Sequence, residues 1–248
     1  SFLQPIWTWL TAVGDRGGHP PAIVRLVARL LTVMLNTHYV PPITTTTSKW
    51  RGASDASADP VRAGVSGWIT NLNNPDITDV HRHCYDCTPK THGWILDDER
   101  FSDRIAPLEL LGTLTLFDEL RKKQVSGNIQ VAIPMATDNQ GNTICILNEE
   151  TKKWPSSAIV MQMVTDAHKW HVDLAINHTF REANDWADQL AKGDSTGFDP
   201  SKRLITKQLA SDWELLTALT TPDIVKAQSK ARRRKEESTA KLQKKPYR

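Results

Sequence analysis

The chain has 248 residues and a formal net charge of +3, with 39% hydrophobic and 24% charged residues, which predicts one large domain or one domain with attachments. It contains no run of about 18 apolar residues and no signal-peptide pattern, so we expect a cytoplasmic or nuclear protein, neither secreted nor embedded in a membrane. Three cysteines are too few for a disulfide scaffold and favour a reducing compartment.

Charge is spread unevenly along the sequence. Residues 226–248 contain ten Lys or Arg and two Glu, so this tail carries +8, which against the total of +3 leaves −5 for the preceding 225 residues. An acidic body with a basic tail is typical of proteins that handle a polyanion such as a nucleic acid. The alternative is a solvated terminus without a binding role, and we expect the tail to be disordered.

The first 49 residues are predicted to form a helical connector. Residues 1–38 contain two segments with helical apolar spacing, separated by the breaker GDRGGHPP, and Pro41-Pro42 follows the second segment. Residues 43–50, ITTTTSKW, are a polar linker or an entering strand. Apolar helices need a partner, so the connector is expected to be the end of a preceding domain.

Three strands are predicted after the connector. Residues 51–57 and 64–70 form the first two, and residues 92–98 form the third, after a long loop at 71–89. Asp55 lies inside the first strand, where a charged side chain is costly unless it is exposed or bound to a ligand. Asp55 is therefore a candidate functional residue.

The loop region contains a possible zinc site. Its candidate ligands are His81, His83, Cys84, Cys87 and His92. Cys84-x2-Cys87-x4-His92, with one of the two other histidines as fourth ligand, could coordinate zinc tetrahedrally. The alternative is a loop with scattered histidines and two free thiols.

Two further acids occupy distinctive positions. Residues 105–123 are predicted to be an amphipathic helix with Glu109 near its start, and residues 129–135 a buried strand that leads to Asp138. A carboxylate at the carboxyl end of a buried strand lies where ligands bind in α/β sheets. The alternatives are a helix N-cap for Asp138 and a pairing with the helix terminus for Glu109.

The rest of the chain is predicted to alternate between helices and one strand. Helices are expected at 142–150, at 158–171, within 181–193 and around 204–219, and a strand at 172–180. The helix within 181–193 ends at Gly193 and carries Asp188 near its start.

The predicted order is three strands, helix, strand, two helices, strand and helix. This order resembles the ribonuclease H fold, and in particular the ribonuclease H domain of DIRS-like eukaryotic retroelement reverse transcriptases. Four motifs carry the resemblance over residues 50–193. They are Asp55-Ala56-Ser57, Leu108-Glu109-Leu110-Leu111, Thr137-Asp138-Asn139 and Asn184-x-x-Ala187-Asp188-x-Leu190.

The resemblance implies an α/β, ribonuclease H-like fold with a mixed five-stranded sheet flanked by helices. It implies that residues 1–49 end a polymerase thumb or connection region and that residues 50–193 form the ribonuclease H-like domain. Residues 194–225 would be a helical extension that leads to the basic tail at 226–248.

The resemblance also implies endonucleolytic hydrolysis of the RNA strand of RNA/DNA hybrids by a two-metal mechanism with Mg²⁺, for which Mn²⁺ can substitute. Asp55 would bridge both ions, Glu109 would bind one near the ribose 2′-hydroxyl, and Asp138 and Asp188 would hold the other. His178 would help to release product; its alternative is a surface histidine. The implied partners are the hybrid and the polymerase portion of the same polyprotein, with no membrane and no small-molecule substrate.

Two other functions remain open on the sequence. A catalytically degenerate ribonuclease H fold would serve as a structural or nucleic-acid-binding module. Another nuclease or an integrase of the same superfold would share the general layout. The helix Glu109 and the late Asp188 favour ribonuclease H over the second of these.

Overall fold

The computed structural model describes residues 24, 25, 27–29, 31, 32, 45–59, 62–73, 76–96, 104–124, 130–151 and 153–230. The described residues before residue 33 are helical, as predicted, and the remainder of the two N-terminal helices lies outside the described residues. Residues 222–230 are also helical, so the first five residues of the predicted disordered tail are ordered. Residues 231–248 lie outside the described residues.

Six strands form one mixed sheet. They are β1 (Thr45–Thr47), β2 (Trp50–Ala58), β3 (Ala63–Asn71), β4 (His81–Cys87), β5 (Gln130–Thr137) and β6 (Val172–His178). β2, β3 and β4 pair antiparallel in sequence order, whereas β5 runs parallel to β2 and to β6. β1 runs parallel to the start of β5. The sheet thus has one strand more than the predicted five, because the segment at 43–50 contributes an entering strand.

The described helices alternate with the strands as expected. They are α1 (Pro89–His92), α2 (Ile105–Lys122), α3 (Gln140–Leu147), α4 (Ser156–Lys169), α5 (Asp185–Ala191) and α6 (Glu214–Leu219). The elements follow one another in the predicted order. Three antiparallel strands come first, then α2 and β5, then the two helices α3 and α4, and finally β6 and α5. The architecture confirms the α/β, ribonuclease H-like fold.

Successive residues of β2 contact helices on opposite faces of the sheet, as the two-residue repeat of a strand requires. Ser54 Oγ lies 3.0 Å from Thr113 Oγ1 of α2. Ser57 Oγ donates to the carbonyl of Ala191 in α5 at 2.7 Å. α2 approaches so closely that a Cβ on Gly52 would lie 2.7 Å from Leu116 Cδ1. α2 therefore covers one face of β2 and α5 the other.

The third strand is not where the sequence predicted it. β4 lies at His81–Cys87, inside the predicted loop, and pairs with β3 from Ile69↔His81 to Ala63↔Cys87. The predicted strand at 92–98 instead begins with the last residue of α1 and a turn at 93–95. The prediction was wrong because β4 buries His83 and Tyr85, and polar rings do not give a hydrophobic strand pattern.

The C-terminal extension is less helical than predicted and is part of the main core. Within 204–219 the α-helix is confined to α6, because the chain before it runs beside β4, where the Leu204 N–H donates to the Arg82 carbonyl at 2.7 Å. Trp213, Leu215 and Leu216 are at most 2% exposed and belong to the same core cluster as α2. The boundary at residue 193 stays a prediction.

No helix within the described residues is both long enough and apolar enough to cross a membrane.

Candidate active site

Three of the four predicted acids converge. Asp55 of β2, Glu109 of α2 and Asp138, which follows β5, each offer a carboxylate oxygen, and these oxygens lie within 4.8 Å of one another. We call these three residues the acidic cluster. Across the described ranges, no other set of three or more His, Cys, Asp or Glu brings ligand atoms this close.

The register of the parallel strands explains why two of these acids meet. Ala53 of β2 pairs with Ala136 of β5, and each of these residues precedes its aspartate by two positions. Because side chains two residues apart on a strand share a face, Asp55, which lies within β2, is placed beside Asp138, which follows the carboxyl end of β5. This is the edge of an α/β sheet at which ligands bind.

Two asparagines orient the third acid. The side-chain amides of Asn139 and Asn142 both donate to Glu109 Oε2, the second of them at 3.1 Å. Asn139 also caps α3, because its Oδ1 accepts from the backbone N–H of Asn142 at 2.9 Å. Glu109 is only 8% exposed, so these hydrogen bonds compensate part of the cost of its burial.

Two carboxyls of the cluster, those of Asp55 and Glu109, have raised pKa values. Burial raises the pKa of Asp55 to about 7, the charge of Asp138 adds to the rise, and the hydrogen bond from the Ala56 N–H opposes it. Burial likewise raises the pKa of Glu109 to about 8 against the hydrogen bond from Asn139, and the charges of Asp55 and Asp138 add to it. Nearby positive charge would reverse both shifts.

The donor set fits a hard divalent cation. Mg²⁺ and Mn²⁺ prefer oxygen ligands, and all three converging groups are carboxylates. Asp138 Oδ1 is buried and accepts no hydrogen bond in the described part of the chain. An unpartnered buried carboxylate oxygen is costly, and coordination to a cation would satisfy it. The residues present therefore suit the magnesium site that the sequence predicted.

The fourth acid, Asp188, lies near the cluster but outside it. Its carboxylate is 2.5 Å from Lys192 Nζ and 3.7 Å from Arg181 NH2. Its charge nevertheless contributes to the raised pKa of Asp55. Asp188 is therefore within electrostatic reach of the cluster while its oxygens are paired with cationic side chains.

His178 lies beside the cluster at the end of β6. Its side chain is exposed, and its Nε2 lies 3.2 Å from the backbone carbonyl of Asp138. The exposed side chain agrees with the alternative of a surface histidine, and a role in product release stays a prediction.

The structure does not bring the predicted zinc ligands together into one group. On β4, Cys84 points to the opposite face of the sheet from Cys87, because the two residues are separated by an odd number of positions. Cys84 packs against the small cluster around Leu190, whereas Cys87 lies in the main core. None of the predicted ligands, His81, His83, Cys84, Cys87 and His92, belongs to a described group of three ligand atoms. His92 Nε2 lies instead 2.9 Å from the carbonyl of Gln208.

Two residues that interact with the acidic cluster were not predicted from the sequence. Asn142 donates a side-chain hydrogen bond to Glu109. The positive charge of Arg181 opposes the rise in the pKa values of Asp55 and Glu109. The sequence does contain a signal for Asn142, because this polar residue directly precedes the mostly apolar segment TICIL. Arg181 gives no such signal, because its effect depends on how the segment after β6 folds.

No protein-family model and no curated protein matches this sequence. Among solved structures, the chain is similar to LC11-RNase H1 in complex with an RNA/DNA hybrid, with 16% identity, 59% of this chain and 96% of that chain covered, and a TM-score of 0.40. It is also similar to the N-terminal ribonuclease H domain of a Mycobacterium tuberculosis protein, with 15% identity, coverage of 58% and 91%, and a TM-score of 0.36. For LC9-RNase H1 the identity is 11%, the coverage 75% and 86%, and the TM-score 0.35.

Proposed function

We propose that this chain is a ribonuclease H, an endonuclease that hydrolyses the RNA strand of RNA/DNA hybrids with divalent metal ions. One observation carries the proposal. Asp55, Glu109 and Asp138 bring carboxylate oxygens within 4.8 Å of one another beside the carboxyl end of β5, in a ribonuclease H-like sheet. Three acids held this close, two with pKa values raised toward neutrality, need a cation to be charged together.

The residues have separate roles in this proposal. When bound, two Mg²⁺ ions, or Mn²⁺ in their place, supply an activated water and relief of charge at the leaving oxygen. Asp55 and Glu109 would help to hold these ions, and Glu109 would lie near the ribose 2′-hydroxyl that distinguishes RNA from DNA. Asp138 contributes its unpartnered Oδ1. Asp188 would also help to hold the ions if it gave up its ion pair with Lys192.

His178 is proposed to assist product release. Its Nε2 already lies 3.2 Å from the backbone carbonyl of Asp138. An exposed imidazole at this position can approach the cleaved phosphate and donate a hydrogen bond to it. Its replacement is expected to slow turnover more than the first round of cleavage.

The biological setting is proposed from the motifs. The chain would act within a retroelement reverse transcriptase, after a polymerase thumb or connection region that ends in residues 1–49. The polymerase portion of the same polyprotein would be its partner. The basic tail at 226–248 would add sequence-independent affinity for the phosphates of the hybrid, which weakens as salt rises.

A panel of substrates tests the proposal. The full chain is incubated in Mg²⁺ with end-labelled RNA/DNA hybrid, double-stranded RNA, double-stranded DNA and single-stranded RNA of one sequence. We expect internal cleavage of the RNA strand of the hybrid alone. Equal cleavage of double-stranded DNA would indicate another nuclease of the superfold. Hybrid binding by a folded chain that cuts nothing would indicate a degenerate binding module.

A further inference from the structure

Phe180 presents a large apolar side chain at the rim of the acidic cluster. Its side chain is 75% exposed. Single exposed apolar residues are common on protein surfaces and need no explanation by themselves. The position of Phe180 and the groups around it therefore decide whether the exposed ring has a role.

The ring is placed beside the acids by two contacts. The backbone N–H of Thr179 donates to the carbonyl of Thr137 at 2.9 Å, which ties the residue before Phe180 to the residue before Asp138. The Phe180 ring meets the His178 ring edge-on, with 6.0 Å between their centroids. His178 Nε2 in turn lies 3.2 Å from the Asp138 carbonyl. A molecule bound at the cluster would therefore meet Phe180 at its margin.

The backbone of Phe180 is held in place. Its carbonyl accepts a hydrogen bond from the Ala183 N–H at 2.9 Å, and its extended conformation, with φ −71° and ψ 148°, begins the 3-10 turn Arg181–Ala183. A ring on a fixed backbone loses little conformational freedom when it is covered by a ligand, so its contact contributes more to affinity.

The neighbouring charge indicates the class of ligand. Arg181 follows Phe180 directly, its side chain is 74% exposed, and its NH2 is 3.7 Å from Asp188 Oδ1. Arginine binds phosphate through paired donors, and an aromatic ring covers the apolar face of a sugar or base. A neighbouring ring and guanidinium beside a cation-binding acidic cluster suit a polynucleotide strand.

We propose that Phe180 is a positioning residue that packs its ring against the sugars of the bound hybrid, in the minor groove beside the scissile phosphate. The inference rests on the proposed function, because it takes the RNA/DNA hybrid as the ligand of this site. The minor groove of an A-like duplex is wide and shallow and exposes its riboses to such a contact. Loss of base stacking on an aromatic ring weakens binding about 5- to 150-fold, and for a contact with sugars we expect the lower end of this range.

Binding and cleavage are measured separately for three variants. A fluorescein-labelled RNA/DNA hybrid is titrated with wild type, Phe180→Ala and Phe180→Trp in EDTA, so that affinity is read without hydrolysis. KM and kcat are then measured in Mg²⁺. Ile205→Ala is the matched control, because Ile205 is 98% exposed and lies beside β4, three strands away from β5.

We expect Phe180→Ala to weaken hybrid binding at least about 5-fold and to raise KM more than it lowers kcat, with unchanged thermal unfolding. Phe180→Trp should restore both, and Ile205→Ala should match wild type. A Phe180→Ala variant that binds and cleaves like wild type would overturn this inference and leave the proposed function intact. A folded wild type that neither binds nor cleaves the hybrid would overturn both.

Discussion

Asn142 donates a hydrogen bond from its side-chain amide to Glu109 Oε2 at 3.1 Å and a second one to the carbonyl of Ala106 at 2.9 Å. These two bonds fasten α3, which begins just after Asp138, to α2, which carries Glu109. Asn142 is 4% exposed. The Asn142 side chain therefore links α2, which carries Glu109, to the helix that directly follows Asp138.

Replacement of Asn142 by Ala should weaken the metal site without removing a ligand. Groups that orient a metal ligand are worth about 10- to 100-fold in metal affinity or activity, so we expect a reduction of about this size in Mg²⁺ affinity. Isothermal titration with Mg²⁺ measures it. Asn148→Ala, at the exposed end of the same helix, is the control. Equal affinities for Asn142→Ala and wild type would show that Asn142 does not orient Glu109.

The stability of the metal-free protein should fall as pH rises from 6.5 to 8.5. Glu109 has a folded pKa of about 8 against an ordinary 4.5, so in this window the folded state binds more protons than the unfolded state. Stability then declines by at most about 1.4 kcal/mol per pH unit for this group. Asp55, with a pKa of about 7, adds to the decline only at the lower end of the window.

Urea unfolding at several pH values in EDTA measures this decline. Glu109→Gln should flatten it, and Mg²⁺ should raise the stability of wild type at pH 8.5 more than that of the variant. An unchanged slope in Glu109→Gln would contradict the assignment of the raised pKa to this residue.

His83 should make the protein sensitive to acid. Complete burial lowers its pKa to about 3, and neither ring nitrogen has a hydrogen-bond partner in the described structure. Between pH 6.5 and 3, His83 binds a proton in the unfolded state but not in the folded state. The free energy of unfolding therefore falls by about 1.4 kcal/mol per pH unit as the pH is lowered. His83→Leu should reduce this slope, whatever its effect on stability at pH 7. A slope in His83→Leu equal to that of wild type would refute the prediction.

Substitution of Trp213 should reduce the free energy of unfolding and so show that the C-terminal extension is part of the folded unit. Trp213 is 2% exposed in the main core, where Gln162 Oε1 accepts from the backbone N–H of Leu215 at 3.0 Å. Trp213→Ala should cost about 3–5 kcal/mol of unfolding free energy. Trp170→Ala, at a ring that is 47% exposed, should cost much less in the same urea titrations. Similar costs for both would mean that the extension packs only loosely.

The parts of the fold that follow from the sequence are those with apolar periodicity. α2 was predicted to within one residue, because its apolar stripe and buried length are local properties of the chain. β2 and β5 followed from short runs of small and β-branched residues. β4 did not, since its buried side chains include His83 and Arg82, whose burial depends on partners elsewhere in the chain.

The sequence predicted all three residues of the acidic cluster, but it did not predict that Asp188 would lie outside the cluster. The strand register that joins Asp55 to Asp138 follows from the fold that the motifs imply. The separate position of Asp188 depends on the ion pair with Lys192, one helical turn away, and sequence spacing alone does not reveal whether such a pair competes with a metal. The candidate zinc ligands lie apart for a related reason, since short spacing between Cys84 and Cys87 does not place their side chains on one face of a strand.

Cleavage of a labelled RNA strand in an RNA/DNA hybrid with Mg²⁺, by wild type and by Asp138→Asn, tests the central claim most directly. Asp223→Asn, at an exposed acid in the C-terminal helical residues, is the control. We predict internal cleavage by wild type and control, and at least about 100-fold slower cleavage by Asp138→Asn, since even groups that only orient a metal ligand are worth about 10- to 100-fold. Equal cleavage by Asp138→Asn would contradict the claim that this cluster performs the reaction.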